Sequence, residues 1–279
     1  MTENRTVETR IIRILDILST NKRIQIKLLA EMLDISFVTL RKDLDGLEKR
    51  GIINRTHGYA GLDGSNDTGR RIAINHSIKK KIAGAAAQIV EEGETIMLGS
   101  GSCCAMLAEE LAYAKKNITI ITNSVFIANY ICKLQDIKII LLGGYFQPWS
   151  QVLVGPVTIQ CGQEFFYEKF FMGTNGFISG YGFTGGDHLQ VETAIELAKR
   201  ARKNFILTEA AKFSRHGAYR LMQLDKISGV YTDDTIPKDA EKVLINNNIM
   251  LQKVNSADER IKWRQFPGQP PILFTEKEN

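Results

Sequence analysis

Apolar residues follow two different periodicities along this chain. From residue 6 to about residue 57 they recur every three or four positions, which is the spacing of amphipathic helices. Beyond residue 69, short apolar runs alternate with stretches of helical spacing. Alternation of strands and helices favours a mostly parallel sheet that is covered by helices on both faces. The pattern therefore predicts a small helical domain followed by a larger α/β domain.

Seven strands and five helices are predicted in the second part of the chain. The strands lie near residues 95–99, 118–122, 137–143, 169–173, 204–208, 227–232 and 249–254, and the helices cover 78–91, 104–114, 125–133, 190–202 and 238–246. The segment GLDGSNDTG (61–69) has almost no apolar residue, which is typical of a linker. We therefore predict a first domain over 1–60, a linker over 61–77, a second domain over 78–255 and a C-terminal extension over 256–279.

Three helices with a tight turn are predicted in the first domain. The first is indicated by apolar residues at helical spacing, namely Val7, Ile11, Ile14 or Leu15, and Leu18. The second runs through KLLAEML (27–33), and Asp34 follows at a corner that requires left-handed backbone, which aspartate tolerates better than most residues. Ser36 is the predicted N-cap of the third helix. This order predicts a helix-turn-helix, whose second helix enters the major groove of DNA.

The third helix carries polar residues on the side opposite its apolar face. Leu40, Leu44 and Leu47 are spaced four and three apart and face inward. At about 100° per residue, Lys42 points away from these leucines, and Thr39 and Arg41 lie on the flanks. Such side chains contact base edges or phosphates in DNA complexes.

A short strand and turn follow Gly51 in the sequence IINRTHGYA. We interpret this segment as a wing that contacts the DNA backbone beside the groove. The residues predicted to contact DNA are Ser36, Thr39, Arg41, Lys42, Arg55 and His57. The alternative is a set of three solvated helices with ordinary charged faces, because charge runs are usually exposed to water without a further role.

Small and polar residues gather where the predicted strands end. The strand that ends at Leu98 continues into GSGSCC (99–104) and then into a helix. Glycines let the backbone approach an anion, and the N-terminus of a helix offers amides without acceptors. Similar residues follow other strands, at 122–124, 143–144, 173–176 and 209–212. In an open parallel sheet the ligand crevice lies outside the carboxyl ends of the strands, so the sequence predicts a phosphate-binding crevice to which Lys212 adds a positive charge.

The segment LLAEMLDISFVTLRKDLDGLEKRGIINRTHGYA (28–60) resembles the helix-turn-helix of the DeoR family. The shared pattern is Ser, Thr, an Arg/Lys pair, Asp-Leu, Leu-Glu, Gly and then Arg-x-His-Gly. Asp34 and Tyr59 depart from it, since the family usually has glycine at both positions. The resemblance covers about residues 6–255 and implies a DNA-binding transcriptional regulator, a repressor of a carbohydrate-utilisation operon.

The second domain is similar to the DeoR-type sensor, whose fold resembles ribose-5-phosphate isomerase, glucosamine-6-phosphate deaminase and CoA transferases. The resemblance implies a phosphorylated sugar that acts as an effector and releases or modulates DNA binding. It also implies a homo-oligomer, a dimer or a tetramer. The positions that depart from the family pattern are Gly99 for Asp, Cys103 for Thr, Glu209 for Asp, and Glu196 for Lys. Gly99 removes a carboxylate that the family usually has, and Glu209 carries one on a longer side chain. Both changes affect which sugar hydroxyls are recognised.

Crevice residues and family positions together give a set of predicted effector contacts. The set consists of Ser100, Gly101, Ser102, Cys103, Thr122, Asn123, Gly144, Glu192 and Lys212. Glu192 and Lys212 enter because they match the acidic and basic positions of the family's sensor. No cofactor and no metal are expected.

Composition narrows the possible classes of protein. Of the 279 residues, 44% are hydrophobic and 24% charged, which is typical of a globular protein. No apolar run approaches the roughly 18 residues of a membrane span. The start MTENRTVETR lacks the plan of a signal peptide, so we expect a cytoplasmic protein. The net charge of +5 is compatible with a polyanionic partner without requiring one.

The four cysteines show neither the spacing of a zinc site nor that of a disulfide framework. Cys103 and Cys104 begin a predicted helix, where the pKa of a thiol tends to fall. A redox role is therefore one interpretation, and packing of small, partly buried side chains is the one we favour.

Three functions are compatible with the sequence. The leading one is a ligand-responsive repressor that is not an enzyme. The second is a sugar-phosphate isomerase or deaminase-like enzyme that carries a DNA-binding head, and its carboxylates Asp187, Glu192 and Glu209 are candidates for proton transfer. The third is an architectural DNA-binding protein with a degenerate pocket. Turnover of a sugar phosphate distinguishes the second from the first, and binding of a sugar phosphate distinguishes the first from the third.

Overall fold

A computed structural model of the chain describes most of its residues. The described residues are 2–21, 23–62, 68–114, 117–134, 137–257, 262–264 and 272–274. The predicted linker residues 63–67 and most of the predicted extension 256–279 lie outside them. The described part of that extension ends in two short antiparallel strands, Lys262–Arg264 and Ile272–Phe274.

The N-terminal domain consists of three helices and a small sheet. The helices are α1 (Thr2–Thr20), α2 (Ile26–Leu33) and α3 (Phe37–Lys49), and the strands are β1 (Arg23–Gln25), β2 (Asn54–Thr56) and β3 (Tyr59–Gly61). The three strands pair antiparallel in the order β1-β3-β2. The helix-turn-helix and the wing are therefore confirmed, and β1 was not predicted.

The turn between α2 and α3 has the predicted conformation. Asp34 is left-handed, with φ 54° and ψ 47°. Ser36 caps α3, and its hydroxyl oxygen accepts a hydrogen bond from the Thr39 amide at 3.1 Å. This bond satisfies one of the amides that the first turn of a helix leaves without an acceptor.

The leucines of α2 and α3 form the core of this domain. Leu40, Leu44 and Leu47 are buried, as their spacing predicts. Val7 is 39% exposed, so the prediction that it lies on the apolar face of α1 is wrong. That face begins at Ile11, which is partly buried and packs against the core, and it continues through the buried Ile14.

Two helices join the N-terminal domain to the second domain. They are α4 (Thr68–Ala73) and α5 (His76–Ala87). The described part of the predicted linker is therefore largely helical. The polar composition of 61–69 concealed this, because the buried Ile72 and Ala73 of α4 follow that stretch.

Gly69 in α4 lies against the turn that ends α3. A Cβ atom built on Gly69 would lie 1.9 Å from the carbonyl oxygen of Gly51 and 3.2 Å from the Cα atom of Ile52. A contact this close requires glycine, since backbone atoms cannot move aside as a flexible side chain can. The contact fixes α4 against the end of α3.

The second domain is built on a seven-stranded parallel sheet. Its strands are β4 (Thr95–Leu98), β5 (Thr119–Thr122), β6 (Lys138–Leu141), β9 (Tyr167–Met172), β12 (Ala201–Leu207), β14 (Gly229–Asp233) and β15 (Met250–Val254), in the order β15-β14-β12-β9-β4-β5-β6. Its helices are α6 (Ser102–Tyr113), α7 (Val125–Ile131), α8 (Pro156–Gln163), α9 (His188–Ala198) and α10 (Lys238–Asn246). All seven predicted strands are present and parallel, so the predicted α/β class is confirmed.

Several short elements were not predicted. They are α8, the hairpin of β7 (Tyr145–Gln147) and β8 (Val152–Val154), and an antiparallel sheet of β10 (Gly176–Ile178), β11 (Gly182–Gly185) and β13 (Tyr219–Met222). The helix predicted over 190–202 ends earlier, because residues 201 and 202 begin β12. Strands of three or four residues with several glycines show too little alternation to be recognised.

The cores of the two domains are continuous. One hydrophobic cluster contains Leu40 and Leu44 of α3, Ile72 of α4, and Ile82 and Ala86 of α5. The helix-turn-helix is therefore packed onto the second domain through α4 and α5 and is not joined to it by a polar linker alone.

His76 at the start of α5 predicts a pH dependence of stability. Burial, with a smaller effect of nearby cations, lowers the pKa of His76 to about 4. Between pH 6.5 and 4 the unfolded chain binds the proton and the folded chain does not. Stability is thus fully present above the unfolded pKa and falls as the pH falls, by roughly 2–3 kcal/mol at pH 4.

Urea unfolding of the full chain at pH 7.5 and at pH 4.5 measures this loss. A His76→Gln variant should lose less stability over that range than the parent. His188→Gln, at an exposed histidine of α9, serves as the control and should behave like the parent. Equal losses in the parent and in His76→Gln would show that His76 does not carry the dependence.

Candidate functional site

The solvent face of α3 carries the predicted base-contacting cations. Arg41 and Lys42 are both exposed, opposite the buried leucines. Their side chains extend from a helix of 13 residues, a length that fits into a major groove. α1 is hydrogen-bonded to this helix, since Arg10 of α1 donates hydrogen bonds to the buried Asp43 of α3.

Ser36 and Thr39 lie at the N-terminal end of α3 and contact one another. Their hydroxyl oxygens are 2.9 Å apart, in addition to the capping bond between Ser36 and the Thr39 amide. Both hydroxyls are thus engaged in building the helix start. A phosphate contact of either must compete with that interaction.

The wing places Arg55 and His57 differently. Arg55 donates to both oxygens of Glu48 and also pairs with Asp45, at 2.5 Å. It therefore fastens the wing to α3 in this structure and is not directed at solvent. His57 is exposed at the tip of the wing, with φ 47° before Gly58 at φ 81°.

A cleft of about 740 Å³ opens at the carboxyl ends of the parallel strands. The segments that follow β4, β5, β9 and β12 all line it, as the position of ligand crevices in such sheets predicts. Of the nine predicted effector contacts, six line the cleft: Ser100, Gly101, Ser102, Cys103, Asn123 and Lys212. The convergence of distant segments expected from the sequence is thus present for these residues.

The loop after β4 presents the N-terminus of α6 to the cleft. Gly101 is the N-cap residue, with φ 135°, a conformation that L side chains rarely adopt. The first amides of α6 have no carbonyl acceptor within the helix and carry the positive end of its dipole. An anion held by Ser100 to Cys103 would meet both.

Two cationic side chains reach the same cleft from different elements. Lys212 lies in the 3₁₀ turn after β12, and Arg71 lies in α4. Burial lowers the pKa of Lys212; Glu209 opposes this shift, and the neighbouring cations Arg215, Arg71 and Lys79 add to it. A cluster of like charges of this kind favours a bound anion.

Glu209 is held at the cleft by the start of α5. Its carboxylate accepts a hydrogen bond from the Asn75 amide group at 2.7 Å and pairs with Lys79 at 3.1 Å. The Lys79 side chain is only 2% exposed and also donates to the carbonyl of Ile74. Glu209 therefore connects the cleft to the α4–α5 segment that carries the N-terminal domain.

Asn123 leaves an acceptor in the cleft. Its amide nitrogen donates to the Leu153 carbonyl at 2.9 Å, while its buried Oδ1 has no hydrogen-bond donor among the described residues. A buried acceptor without a donor is destabilising. Because Oδ1 is closed to solvent in this structure, a ligand hydroxyl would reach it only after a movement of the Asn123 side chain.

The far side of the cleft is closed by the β7–β8 hairpin. Gln147 in this hairpin donates to Asp187, the N-cap residue of α9. Gln190 of α9 donates to Gln147 and to Ser150 at 2.7 and 3.1 Å. This network fixes the hairpin, whose tip carries the exposed Trp149, beside the cleft.

Three predicted effector contacts do not line the cleft: Thr122, Gly144 and Glu192. The hydroxyl of Thr122 is buried and accepts from the Ser124 amide. Gly144 lies where a Cβ atom would approach the Thr158 hydroxyl to 1.8 Å. Glu192 is exposed on α9, about 200° around the helix from the cleft residue Gln190.

Several cleft residues were not among the predicted contacts. Arg71 fell within the predicted linker 61–77, and Glu209 was considered as a departure from a family position and as a candidate for proton transfer. Asp187 was considered only as a candidate for proton transfer, and Gln190 was not singled out. The interpretation of the adjacent cysteines as packing residues fits the structure, since both are buried and burial raises the pKa of Cys103 to about 12.

A polar junction joins the end of α3 to the second domain. Arg50, the C-cap residue of α3, pairs with Glu109 of α6 at 2.5 Å and donates to the Tyr130 hydroxyl. Tyr130 donates in turn to Glu109 at 2.7 Å. We call these three residues the Arg50 junction.

The Arg50 junction and the cleft lie at two places along the same helix. Cys103 lines the cleft and Glu109 follows six residues later on α6, about 9 Å along the axis. α6 therefore contacts both the cleft and the end of α3. Within the described residues, no cluster of histidine, cysteine, aspartate or glutamate fits a metal ion, and no helix is long and apolar enough to cross a membrane.

The chain is similar to named repressors over most of its length. It is 31% identical to the lactose phosphotransferase system repressor of Lactococcus lactis subsp. lactis over 233 residues, 81% of this chain and 91% of that protein. It is 28% identical to the protein of the same name from Staphylococcus epidermidis, over 77% of this chain and 87% of that protein. The glycerol-3-phosphate regulon repressor of Escherichia coli strain K12 is 26% identical, over 80% and 90% respectively.

Solved structures also align with part of this chain. Ribose 5-phosphate isomerase A from Methanocaldococcus jannaschii aligns with a TM-score of 0.37 and 19% identity, over 50% of this chain and 55% of that chain. A score of this size carries no weight for the function.

Family models match both domains. The DeoR-like helix-turn-helix domain matches residues 10–66, and the DeoR C terminal sensor domain matches residues 74–234. The two matches follow one another along the chain in the order of the two folded units. The resemblance found in the sequence is thus confirmed, and this chain belongs to the DeoR family of transcriptional regulators, which is not a family of enzymes.

Proposed function

We propose that this protein represses a carbohydrate-utilisation operon and that a phosphorylated sugar in the cleft releases or modulates its hold on operator DNA. The observation that carries the proposal is the cleft itself. It combines the N-terminus of α6 with Lys212 and Arg71, which suits a phosphate. It also offers Asn123 and Glu209, which suit sugar hydroxyls. The names of the relatives support the same interpretation.

The residues proposed to contact the effector follow from this geometry. They are Ser100, Gly101, Ser102, Cys103, Asn123 and Lys212, to which the structure adds Arg71 and Glu209. On the DNA side we retain Ser36, Thr39, Arg41, Lys42 and His57. Arg55 contributes to DNA binding by holding the wing on α3, or contacts phosphate only after its ion pairs with Glu48 and Asp45 open.

The proposal gives the effector two routes of contact from the cleft to α3. One runs along α6 to the Arg50 junction, and the other passes from Arg71 through α4 to the Gly69–Gly51 contact. The effector must bind one arrangement of the N-terminal domain better than the other, and about 1–3 kcal/mol of coupling suffices for regulation.

The proposal includes an assembly and a location. A homo-oligomer, a dimer or a tetramer, would place two helix-turn-helix units about one turn of DNA, or a multiple of it, apart. Operator DNA as partner places the protein in the cytoplasm. The proposed domain limits remain 1–60, 61–77, 78–255 and 256–279, with α4 as a helical part of the connection.

Calorimetry across a panel of sugar phosphates, with the full chain, tests the proposal. We expect saturable binding of one class of sugar phosphate and weaker binding of the unphosphorylated sugar. The same compound should change the affinity for operator DNA in an anisotropy titration. A flat response to the whole panel would favour an architectural protein, and steady conversion of the compound would favour the enzyme; either result would overturn the proposal.

Arg41→Ala tests the DNA-binding side. If Arg41 contacts a base, the variant should bind operator DNA more weakly by about 1–3 kcal/mol. Anisotropy at one fixed salt concentration measures the change. Arg202→Ala, at a mostly exposed arginine of β12, is the matched control and should bind as the parent does. Unchanged affinity of Arg41→Ala would remove Arg41 from the interface.

A further inference from the structure

The N-terminal end of α3 exposes an apolar surface that the fold does not use. Val38 is 78% exposed and Phe37 is 50% exposed, whereas the leucines of the same helix are buried. At about 100° per residue, Val38 points to the side opposite those leucines, as Lys42 does. Two adjacent apolar side chains thus project from the part of the helix that lies deepest in the groove in helix-turn-helix complexes.

The surroundings of Val38 point to a nucleic-acid partner and not to a protein. Arg41 and Lys42 follow it by three and four positions, so they flank it one turn along the helix. The neighbouring hydroxyls of Ser36 and Thr39 are engaged with one another and with the helix cap. The Val38 side chain therefore projects toward the partner one turn before Arg41 and Lys42, two cations that suit phosphates and guanine edges.

The major groove displays one kind of apolar group, the C5-methyl of thymine. Apart from the small C5–H of cytosine, the other groups that distinguish the base edges there donate or accept hydrogen bonds. A valine placed over such an edge would exclude water without offering a partner, which is unfavourable. Against a thymine methyl the same side chain buries apolar surface on both sides.

We propose that Val38 contacts a thymine methyl group in each operator half-site and selects thymine at that position, with Phe37 forming the side of the contact. The inference rests on the proposed DNA-binding function. It assigns sequence preference to an apolar residue in addition to the cations Arg41 and Lys42.

The test begins with sites selected by the full chain from a pool of randomised DNA duplexes. We expect one nearly invariant thymine per half-site. Replacing that thymine by deoxyuridine removes only the methyl group, and the affinity should fall about 4-fold for each methyl. Deoxyuridine at thymines elsewhere in the site should change the affinity less than 2-fold.

Substitution then locates the contact on the protein. Val38→Ala should bind the thymine site more weakly and lose most of the difference between thymine and deoxyuridine. Because Val38 is so exposed, the variant should unfold at the parent's temperature. Val157→Ala, at an exposed valine of α8, is the matched control and should keep the full difference. Phe37→Ala should keep more of the difference than Val38→Ala.

The outcomes separate this inference from the function on which it rests. If a site is selected but deoxyuridine has no effect at any position, or if Val38→Ala keeps the full 4-fold difference, the inference is wrong and the DNA-binding function stands. If loss of the difference follows Phe37→Ala and not Val38→Ala, the assignment to Val38 is wrong. If no sequence is enriched at all, the proposed DNA-binding function fails, and the inference fails with it.

Discussion

Replacing Arg50 with alanine is expected to lower the free energy of unfolding by about 2–4 kcal/mol. The substitution removes the cation beside Glu109, whose side chain is only 11% exposed. The Tyr130 hydroxyl still donates to that carboxylate, so the loss should be below that of a completely isolated buried charge. Urea unfolding of the full chain at pH 7.5 measures the change.

Two further variants make this result specific to the Arg50 junction. Arg202→Ala removes an exposed arginine whose ion pair is open to solvent, and its effect should stay below about 1 kcal/mol. A triple variant, Arg50→Met with Glu109→Leu and Tyr130→Phe, replaces the buried polar groups by apolar ones and should recover most of the lost stability. Equal, small losses for Arg50→Ala and Arg202→Ala would mean that the junction contributes nothing.

Replacing Lys212 with alanine is expected to raise the sugar-phosphate concentration needed for half of the response on DNA by about 10–150-fold. A half-buried ammonium beside the α6 N-terminus would form a charge-assisted hydrogen bond with the phosphate, and alanine removes it. DNA affinity without effector should stay the same, because Lys212 lies outside the helix-turn-helix. Anisotropy of labelled operator DNA at increasing effector concentration measures both quantities.

Lys226→Ala, at an exposed lysine away from the cleft, is the matched control and should respond as the parent does. Arg71→Ala adds a second comparison, since Arg71 reaches the cleft from α4. That variant should bind the effector more weakly, as measured by calorimetry. It should also respond less to the effector in the DNA-binding titration. A Lys212→Ala protein that responds at the parent's concentration would show that the phosphate does not lie beside Lys212.

Local rules were sufficient to predict the helix-turn-helix. The left-handed Asp34, the cap at Ser36 and the leucine spacing of α3 each depend on neighbours within a few residues. The parallel sheet was also predictable, because its buried strands are continuous apolar runs. The general position of the cleft then follows from where such strands end.

Side-chain orientation and long-range pairing were not predictable from the same pattern. Arg55 was recognised as a cation, but its pairing with Glu48 depends on how the wing folds back on α3. Glu192 was assigned from a family position, yet the phase of α9 directs Gln190 and not Glu192 to the cleft. Arg71 was missed because a polar stretch concealed the short helix α4, which tertiary packing stabilises.

The close approach of Gly69 to Gly51 limits how regulators of this type can be recombined. A chimera that joins a foreign DNA-binding unit to this sensor would have to supply a backbone turn of the same shape where α3 ends. A bulkier residue on the sensor's side would push the transplanted unit away even if every DNA-contacting side chain were kept. Exchange of specificity between such proteins is therefore simpler by substitution on the surface of one helix than by swapping whole modules.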